Sequence, residues 1–170
     1  TLLTPRPPAP VPQAMSTEAP IWTPARANHF PSVLALMRRF YSEEKLVFDE
    51  DRASRSVSEL LSDPSLGTIF LLQDGRGIHG YLVGCSGYSL EFGGRFVLLD
   101  ELYISPSHRG HGYAKKALAM IEDWAKDRNI GTMRLEVNDH NENALSIYVK
   151  SGYINDDRRI LTKWISPRED

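Results

Sequence analysis

Two closely spaced glycines stand where a predicted strand passes through a short turn into a long helix. Arg109, Gly110, His111 and Gly112 occupy the turn, and Tyr113 opens the helical pattern. Glycine leaves no side chain between the backbone and a ligand, so successive N–H groups can converge on phosphate oxygens, and the helix dipole favours negative charge there. The turn therefore predicts a binding site for a ligand that carries a diphosphate.

Neither common nucleotide motif fits this turn. A phosphate loop requires a Gly-Lys pair followed by Ser or Thr, and a dinucleotide fingerprint requires a third glycine, and both are missing around Gly112. His108 and His111 flank the turn, but no nearby cysteine or carboxylate completes a zinc ligand set with them. We therefore expect no metal cofactor.

The turn does match the pattern Q/R-x-x-G-x-G/A, filled by Arg109, Gly112 and Ala114. This resembles the coenzyme A pyrophosphate loop of the GNAT family of N-acetyltransferases. A downstream run is similar to that family's pattern LxVxxxNxxAxxxYxxxGF, in which the chain supplies Leu135, Val137, Asn141, Ala144, Tyr148, Gly152 and Tyr153. The resemblance is firm over residues 96–153, looser over residues 21–91, and excludes the first twenty residues.

The resemblance implies that acetyl-CoA is the co-substrate and that a bound amine attacks it directly. It also implies a set of coenzyme A contacts: Leu102, Tyr103, Ile104, Arg109, Gly110, His111, Gly112, Tyr113, Ala114, Lys115, Asn141, Ala144 and Tyr148. Asn141 also suits a helix cap, a role that is compatible with touching the cofactor.

Acetyl transfer to an amine requires a proton acceptor and a group that protonates the departing thiolate. Tyr148 occupies the family's position for the general acid, and a phenol stays protonated at neutral pH. The alternative is an aromatic that only packs on the sheet.

Glu101 is the predicted base, because a carboxylate among apolar side chains has a raised pKa. The alternative is a salt-bridged strand carboxylate. Strand alternation puts Glu101 on the face of Leu99 and Tyr103, with Asp100 on the other face.

The acceptor is less well defined by the sequence. Five acidic residues precede or open a second predicted helix and could attract a cationic amine, or could form an ordinary solvated loop: Glu43, Glu44, Asp49, Glu50 and Asp51. Glu91 is either a substrate carboxylate or hairpin surface. The first hypothesis is a small cationic amine. A protein or peptide amine, or a non-catalytic acyl-CoA sensor or scaffold, are the alternatives.

Apolar periodicity and turn residues predict the element order βααβββαβαβ. Strands are expected near residues 21–23, 68–73, 79–89, 95–104, 132–137 and 159–165, and the longest helix is expected to run to about Arg128. The fold class is α/β (α+β), a mixed, mainly antiparallel twisted sheet with helices on both faces. This is also the acyl-CoA N-acyltransferase fold that the resemblance implies.

The 170 residues, with a formal charge of −2, suit one domain at residues 21–170 after a proline-rich tail at residues 1–20. One interpretation of the residues before Met15 is an addition to the native chain. The charge predicts neither a nucleic-acid nor a membrane partner, and the lack of a long apolar run predicts a cytoplasmic protein. Cys85, the one cysteine, is expected to be a buried thiol. The last strand and Trp164 could form a homodimer edge.

Overall fold

The computed structural model describes residues 18–138 and 141–165, so most of the proline-rich tail lies outside the described residues. The elements follow the predicted order up to the fourth helix. They are β1 Ile21–Pro24, α1 Phe30–Glu43, α2 Glu50–Ser62, β2 Gly67–Asp74, β3 Gly77–Ser89, β4 Gly94–Ile104, α3 Tyr113–Lys126, β5 Met133–Leu135 and α4 Glu142–Lys150. Short 3-10 helices cover Ala27–His29 and Pro106–His108.

The five strands form one sheet in the order β1-β2-β3-β4-β5. The first four pair antiparallel, whereas β5 lies parallel to β4. Tight hairpins join β2 to β3 and β3 to β4, as the glycine-rich turns predicted, and the crossover through α3 makes the β4–β5 pair parallel. The predicted mixed and mainly antiparallel sheet is confirmed.

Helices cover both faces of this sheet. On one face α1 and α2 pack their apolar stripes on alternate residues of the strands, in a cluster that includes Val33, Leu36, Met37, Val57, Ile69, Leu71, Tyr81, Val83 and Tyr103. On the other face lies α3, whose Ile121 is fully buried and sits so close to Gly84 that an added Cβ there would lie 2.7 Å from its Cδ1. Trp22 Nε1 on β1 donates to the Tyr113 carbonyl oxygen (3.0 Å) and ties β1 to the start of α3.

A β-bulge interrupts the pairing of β3 with β4. Val83 pairs with Glu101, but the next residue, Gly84, pairs with Leu99, which leaves Asp100 as the extra residue. The bulge breaks the alternation of side chains along β4. Glu101 pairs with Val83, whose side chain packs in the cluster on the α1–α2 face. Leu99 pairs with Gly84, where an added Cβ would point toward Ile121 of α3, on the other face. The prediction that Glu101 and Leu99 share a face is therefore wrong.

The chain divides into two compact units, Thr1–Leu135 and Glu136–Asp170. Within the second unit, Asn141 Oδ1 accepts from the Ala144 N–H (3.2 Å) and caps α4. The strand predicted at residues 159–165 is wrong, because the structure shows no helix or strand over residues 153–165. An alternating pattern gives a strand only where a neighbour accepts its backbone hydrogen bonds. Among the described residues, no helix is long and apolar enough to cross a membrane.

Candidate active site

The outer edge of β4 lacks a strand partner over its last residues, as far as the described chain extends. β5 pairs only with Val97, Leu98 and Leu99, whereas β4 continues to Ile104. The Ser105 N–H donates to the His79 carbonyl (2.8 Å), so by alternation the N–H and C=O groups of Leu102 and Ile104 point away from β3. Those of Tyr103 point toward β3. An extended ligand with amide groups can bind at this edge as an added strand does.

The glycine turn directly follows this edge and has the backbone conformation that an anion site requires. Gly110 (φ +79°) and Gly112 (φ +77°) are both left-handed, a region that other residues rarely adopt. The Lys116 N–H donates to the Gly112 carbonyl (3.2 Å) and starts the helical ladder. The N–H groups of the three residues before it, Tyr113, Ala114 and Lys115, therefore have no intrahelical acceptor and are available to a ligand.

The Arg109 side chain does not face an open phosphate site. Its guanidinium forms a two-pronged ion pair with Glu43 at the end of α1, with Nη1–Oε1 at 2.6 Å and Nη2–Oε2 at 2.9 Å. Its Nε donates to the Ile104 carbonyl (2.8 Å). The hydrogen bond that Arg109 donates to Glu43 raises the pKa of Arg109, so the guanidinium stays charged and the Glu43 carboxylate offsets that charge. The groups that the turn can offer to an anion are therefore its backbone N–H groups and exposed Lys115.

Two tyrosine hydroxyls donate hydrogen bonds to the Glu101 carboxylate, and the sequence alone does not connect either tyrosine with it. Tyr41 of α1 donates to Oε1 (2.6 Å) and Tyr81 of β3 donates to Oε2 (2.7 Å). Burial raises the pKa of Glu101, the two hydrogen bonds lower it, and neighbouring Asp100 raises it further; the pKa stands above its ordinary value. Burial also raises the pKa of both phenols, so they remain donors. Each carboxylate oxygen keeps a lone pair for an ammonium group.

A cavity of about 360 Å³ lies between α1, α2 and the sheet beside this carboxylate. Its walls are mostly apolar, and its three charged residues are all acidic: Glu59, Asp100 and Glu101. Asp100 and Glu101 line the same cavity because of the bulge, so the prediction that they face opposite sides is wrong. Burial also raises the pKa of Asp100. Cys85 lines the cavity too, and burial raises its pKa to about 11, which keeps it an unreactive thiol.

Three of the five acidic residues that could attract a cationic amine have structural partners. Asp49 Oδ1 accepts from the Arg52 N–H (2.9 Å) and caps α2. Glu43 pairs with Arg109, and Glu50 forms an ion pair with Arg38. Glu91 is exposed in the β3–β4 turn. The cavity carboxylates come from α2 and the bulged strand.

The remaining predicted residues belong to the second unit. Asn141 is the cap of α4, and Ala144 supplies the N–H that it accepts. Tyr148 lies on the same helix, half-buried, with its ring 5.8 Å from that of Tyr153 in an edge-on contact. Burial raises the pKa of Tyr148, so its phenol is protonated at neutral pH. Its catalytic role stays a prediction.

Known proteins are similar to this chain in sequence. A thialysine N-epsilon-acetyltransferase of Bos taurus is 30% identical over 96 residues, 56% of this chain and 52% of that protein. An uncharacterised N-acetyltransferase of Mycobacterium bovis is 33% identical over 111 residues, 62% of this chain and 64% of that protein. The chain thus matches about half the length of the first relative and less than two thirds of the second.

Solved structures share the fold across most of the chain. An integron cassette protein from a salt-marsh metagenome superposes with a TM-score of 0.77 at 27% identity, covering 86% of this chain and 91% of the other. An aminoglycoside N-acetyltransferase in complex with CoA gives a TM-score of 0.76 at 16% identity, covering 92% and 99%, and shows the fold alone.

A family model for the GNAT acetyltransferases matches residues 31–153, which contain the bulged strand, the glycine turn and α4. The chain belongs to the GNAT family of acetyltransferases.

Proposed function

We propose that this protein is an acetyl-CoA dependent N-acetyltransferase whose acceptor is a small cationic amine. The observation that carries the proposal is the cavity of about 360 Å³ whose charged lining residues are all carboxylates. One of them, Glu101, directly precedes the free-edged part of β4 that contains Leu102 and Ile104. A donor that follows this edge would bring its thioester near the carboxylate.

The donor half of the proposal rests on two backbone features. The glycine turn supplies N–H groups for the diphosphate, and the edge of β4 supplies the carbonyl and amide of Leu102 and Ile104 for pantetheine. Donor binding at Ile104 would compete with the Arg109 contact to its carbonyl. A solved acetyltransferase from Clostridium acetobutylicum with this fold contains acetyl-CoA, which supports the same ligand here.

The chemistry is a direct transfer. The neutral amine attacks the thioester carbonyl, the N–C bond forms, and the carbonyl carbon becomes tetrahedral. Glu101, alone or through a water, takes the proton that the nitrogen releases. The C–S bond then breaks, Tyr148 gives its proton to the departing sulfur, and solvent returns a proton to the phenolate. No covalent enzyme intermediate is required.

The acceptor half rests on size and charge. The cavity volume falls within the range of small-molecule sites, and its apolar walls suit an alkyl chain between cationic groups. Relatives named for thialysine and for streptothricin, and neighbours named for aminoglycosides, act on amines of this general kind. We therefore favour a small polyfunctional amine over a protein terminus.

The test begins with acetyl-CoA binding by calorimetry, followed by thiol release with diamines, amino acids, aminoglycosides and a lysine peptide. We expect small diamines to release thiol and Glu101→Gln to lower kcat/KM by about 100-fold or more, with acetyl-CoA affinity unchanged. Glu91→Gln, an exposed turn carboxylate, is the matched control.

Three results would redirect the proposal. Turnover of the peptide alone would favour a protein acceptor. Binding of acetyl-CoA without thiol release from any amine would favour a sensor. Failure to bind acetyl-CoA would contradict the proposal that the glycine turn and the β4 edge bind this donor.

A further inference from the structure

Three side chains with metal-ligand chemistry meet at the end of the sheet next to the glycine turn. Asp74 ends β2, His79 lies near the start of β3, and His108 ends the short 3-10 helix Pro106–His108. One ligand atom from each lies within 4.8 Å of the others. Neither histidine is used by the proposed acetyl transfer, and His79 was not part of any predicted site.

The fold fixes this arrangement through backbone pairing. Asp74 pairs with Gly77 across the β2–β3 turn, so His79 returns beside it. The Ser105 N–H donates to the His79 carbonyl (2.8 Å), which places the following 3-10 helix over the same turn. The rings of His79 and His108 then stack with centroids 3.9 Å apart. The three residues come from separate elements that converge here without any sequence motif.

Asp74 Oδ1 accepts from the Arg76 backbone N–H (2.8 Å), and its second contact, with His79, is the one that a cation could replace. His79 Nε2 lies 2.8 Å from Asp74 Oδ1, and a metal could replace the proton between them. Arg76 makes its side-chain ion pair with the other oxygen, Oδ2, and can stay there as an outer partner. Ser107 Oγ lies 3.0 Å from His108 Nδ1 and can orient that ring, as partners of metal-binding histidines do.

Two of the three side chains are shielded from solvent. The Asp74 side chain is fully buried and the His79 side chain is 15% exposed. Ligand atoms bound to one zinc ion at about 2.1 Å stand about 3.4 Å apart. The present set lies within 4.8 Å, and one imidazole must turn out of the stacked arrangement for both rings to point at one ion.

We propose that Asp74, His79 and His108 form a zinc-binding site with two imidazole ligands and one carboxylate ligand. The fourth position would be left to water or an anion, because three protein ligands do not complete a tetrahedral shell. The ion would join the β2–β3 turn to the segment that leads into the glycine turn. Its role is structural, and it is independent of the proposed acetyl transfer.

The test uses the purified full chain, freed of metal with a chelator. Zinc binding is measured by competition with a chromophoric chelator and by calorimetry, and thermal unfolding is followed with and without zinc. We expect one zinc ion per chain and a rise in Tm, since a ligand that binds only the folded state stabilises it. His79→Gln and His108→Gln keep a hydrogen-bonding amide but lose the imidazole, and should weaken zinc binding by about tenfold or more.

His111→Gln and His29→Gln are the controls, because both histidines lie outside the cluster. The proposal is overturned if the chain binds no zinc, if either cluster variant binds it as tightly as the unaltered chain, or if the controls weaken binding equally. Unchanged Tm of the metal-free variants would show that they fold. The measurement stands whether or not the protein transfers acetyl groups.

Discussion

Glu101 experiences two opposing influences, burial that raises its pKa and two tyrosine hydrogen bonds that lower it. If the ionised carboxylate is the base, kcat/KM falls as the pH drops through that raised pKa. Tyr41→Phe removes one hydrogen bond that favours the ionised form, so the acid limb should move to higher pH. The measurement is the pH profile of kcat/KM with one amine.

Tyr88→Phe is the control for this shift, because Tyr88 is 73% exposed on β3. The acceptor's own ionisation affects every variant equally, so only the difference between profiles is diagnostic. A limb that stays in place, or moves to lower pH, in Tyr41→Phe would contradict Glu101 as the titrating base.

Asp100 lines the cavity beside Glu101, and we propose that it binds a second cationic group of the acceptor. Asp100→Asn should therefore raise KM for a diamine by about tenfold, or about 1.4 kcal/mol, and leave a monoamine of equal length nearly unchanged. Steady-state kinetics with the two amines checks this, with Glu91→Gln as control. Equal losses for both amines would instead place Asp100 at the reacting nitrogen.

The sequence predicts Glu101 as the base but does not predict the residues that hydrogen-bond it. Tyr41 stands 60 positions away and Tyr81 stands 20 positions away, and nothing in the sequence pattern links either residue to Glu101. One general signal was available, since a buried tyrosine hydroxyl usually finds a partner. Which partner it finds depends on how α1 packs on the sheet, and the pattern of apolar residues does not contain that information.

Gly112 caps the N-terminus of α3 in a left-handed backbone conformation. Gly112→Ala forces a side chain into a conformation that costs about 1–2 kcal/mol, and it disturbs the N–H groups that would bind diphosphate. We expect a lower free energy of unfolding in urea and acetyl-CoA binding weakened by about tenfold.

Gly131→Ala is the control, because Gly131 is not left-handed and an added Cβ there meets nothing within 4 Å among the described residues. Equal losses in both variants would argue against a special role for Gly112.

Element order was predictable where periodicity and glycine turns were strong, and it was wrong where a strand depends on its neighbours. α1 to α3 and the hairpins follow the sequence pattern because each carries its own local signals. The bulge at Asp100 could not be read, because alternation assumes that both strands advance one residue at a time. Because Asp100 is the extra residue, it lines the same cavity as Glu101 and does not lie on the opposite face. The strand predicted at residues 159–165 is wrong for a related reason, because an alternating pattern forms a strand only beside a partner strand.

At the level of the whole molecule, acetyl-CoA binding should raise the free energy of unfolding. A ligand at about one hundred times its Kd stabilises the folded state by about 2.7 kcal/mol, which for a chain of this size raises Tm by about 5–10 °C. Thermal unfolding with saturating acetyl-CoA measures this shift.

S-acetylpantetheine at the same concentration is the comparison that separates the two donor contacts, since it keeps the amides that would follow β4 but lacks the diphosphate. If the glycine turn supplies much of the binding energy, the pantetheine compound should give little or no shift, and Gly112→Ala should reduce the acetyl-CoA shift. A shift as large with S-acetylpantetheine would place the binding energy on the β4 edge and leave the glycine turn without its proposed ligand.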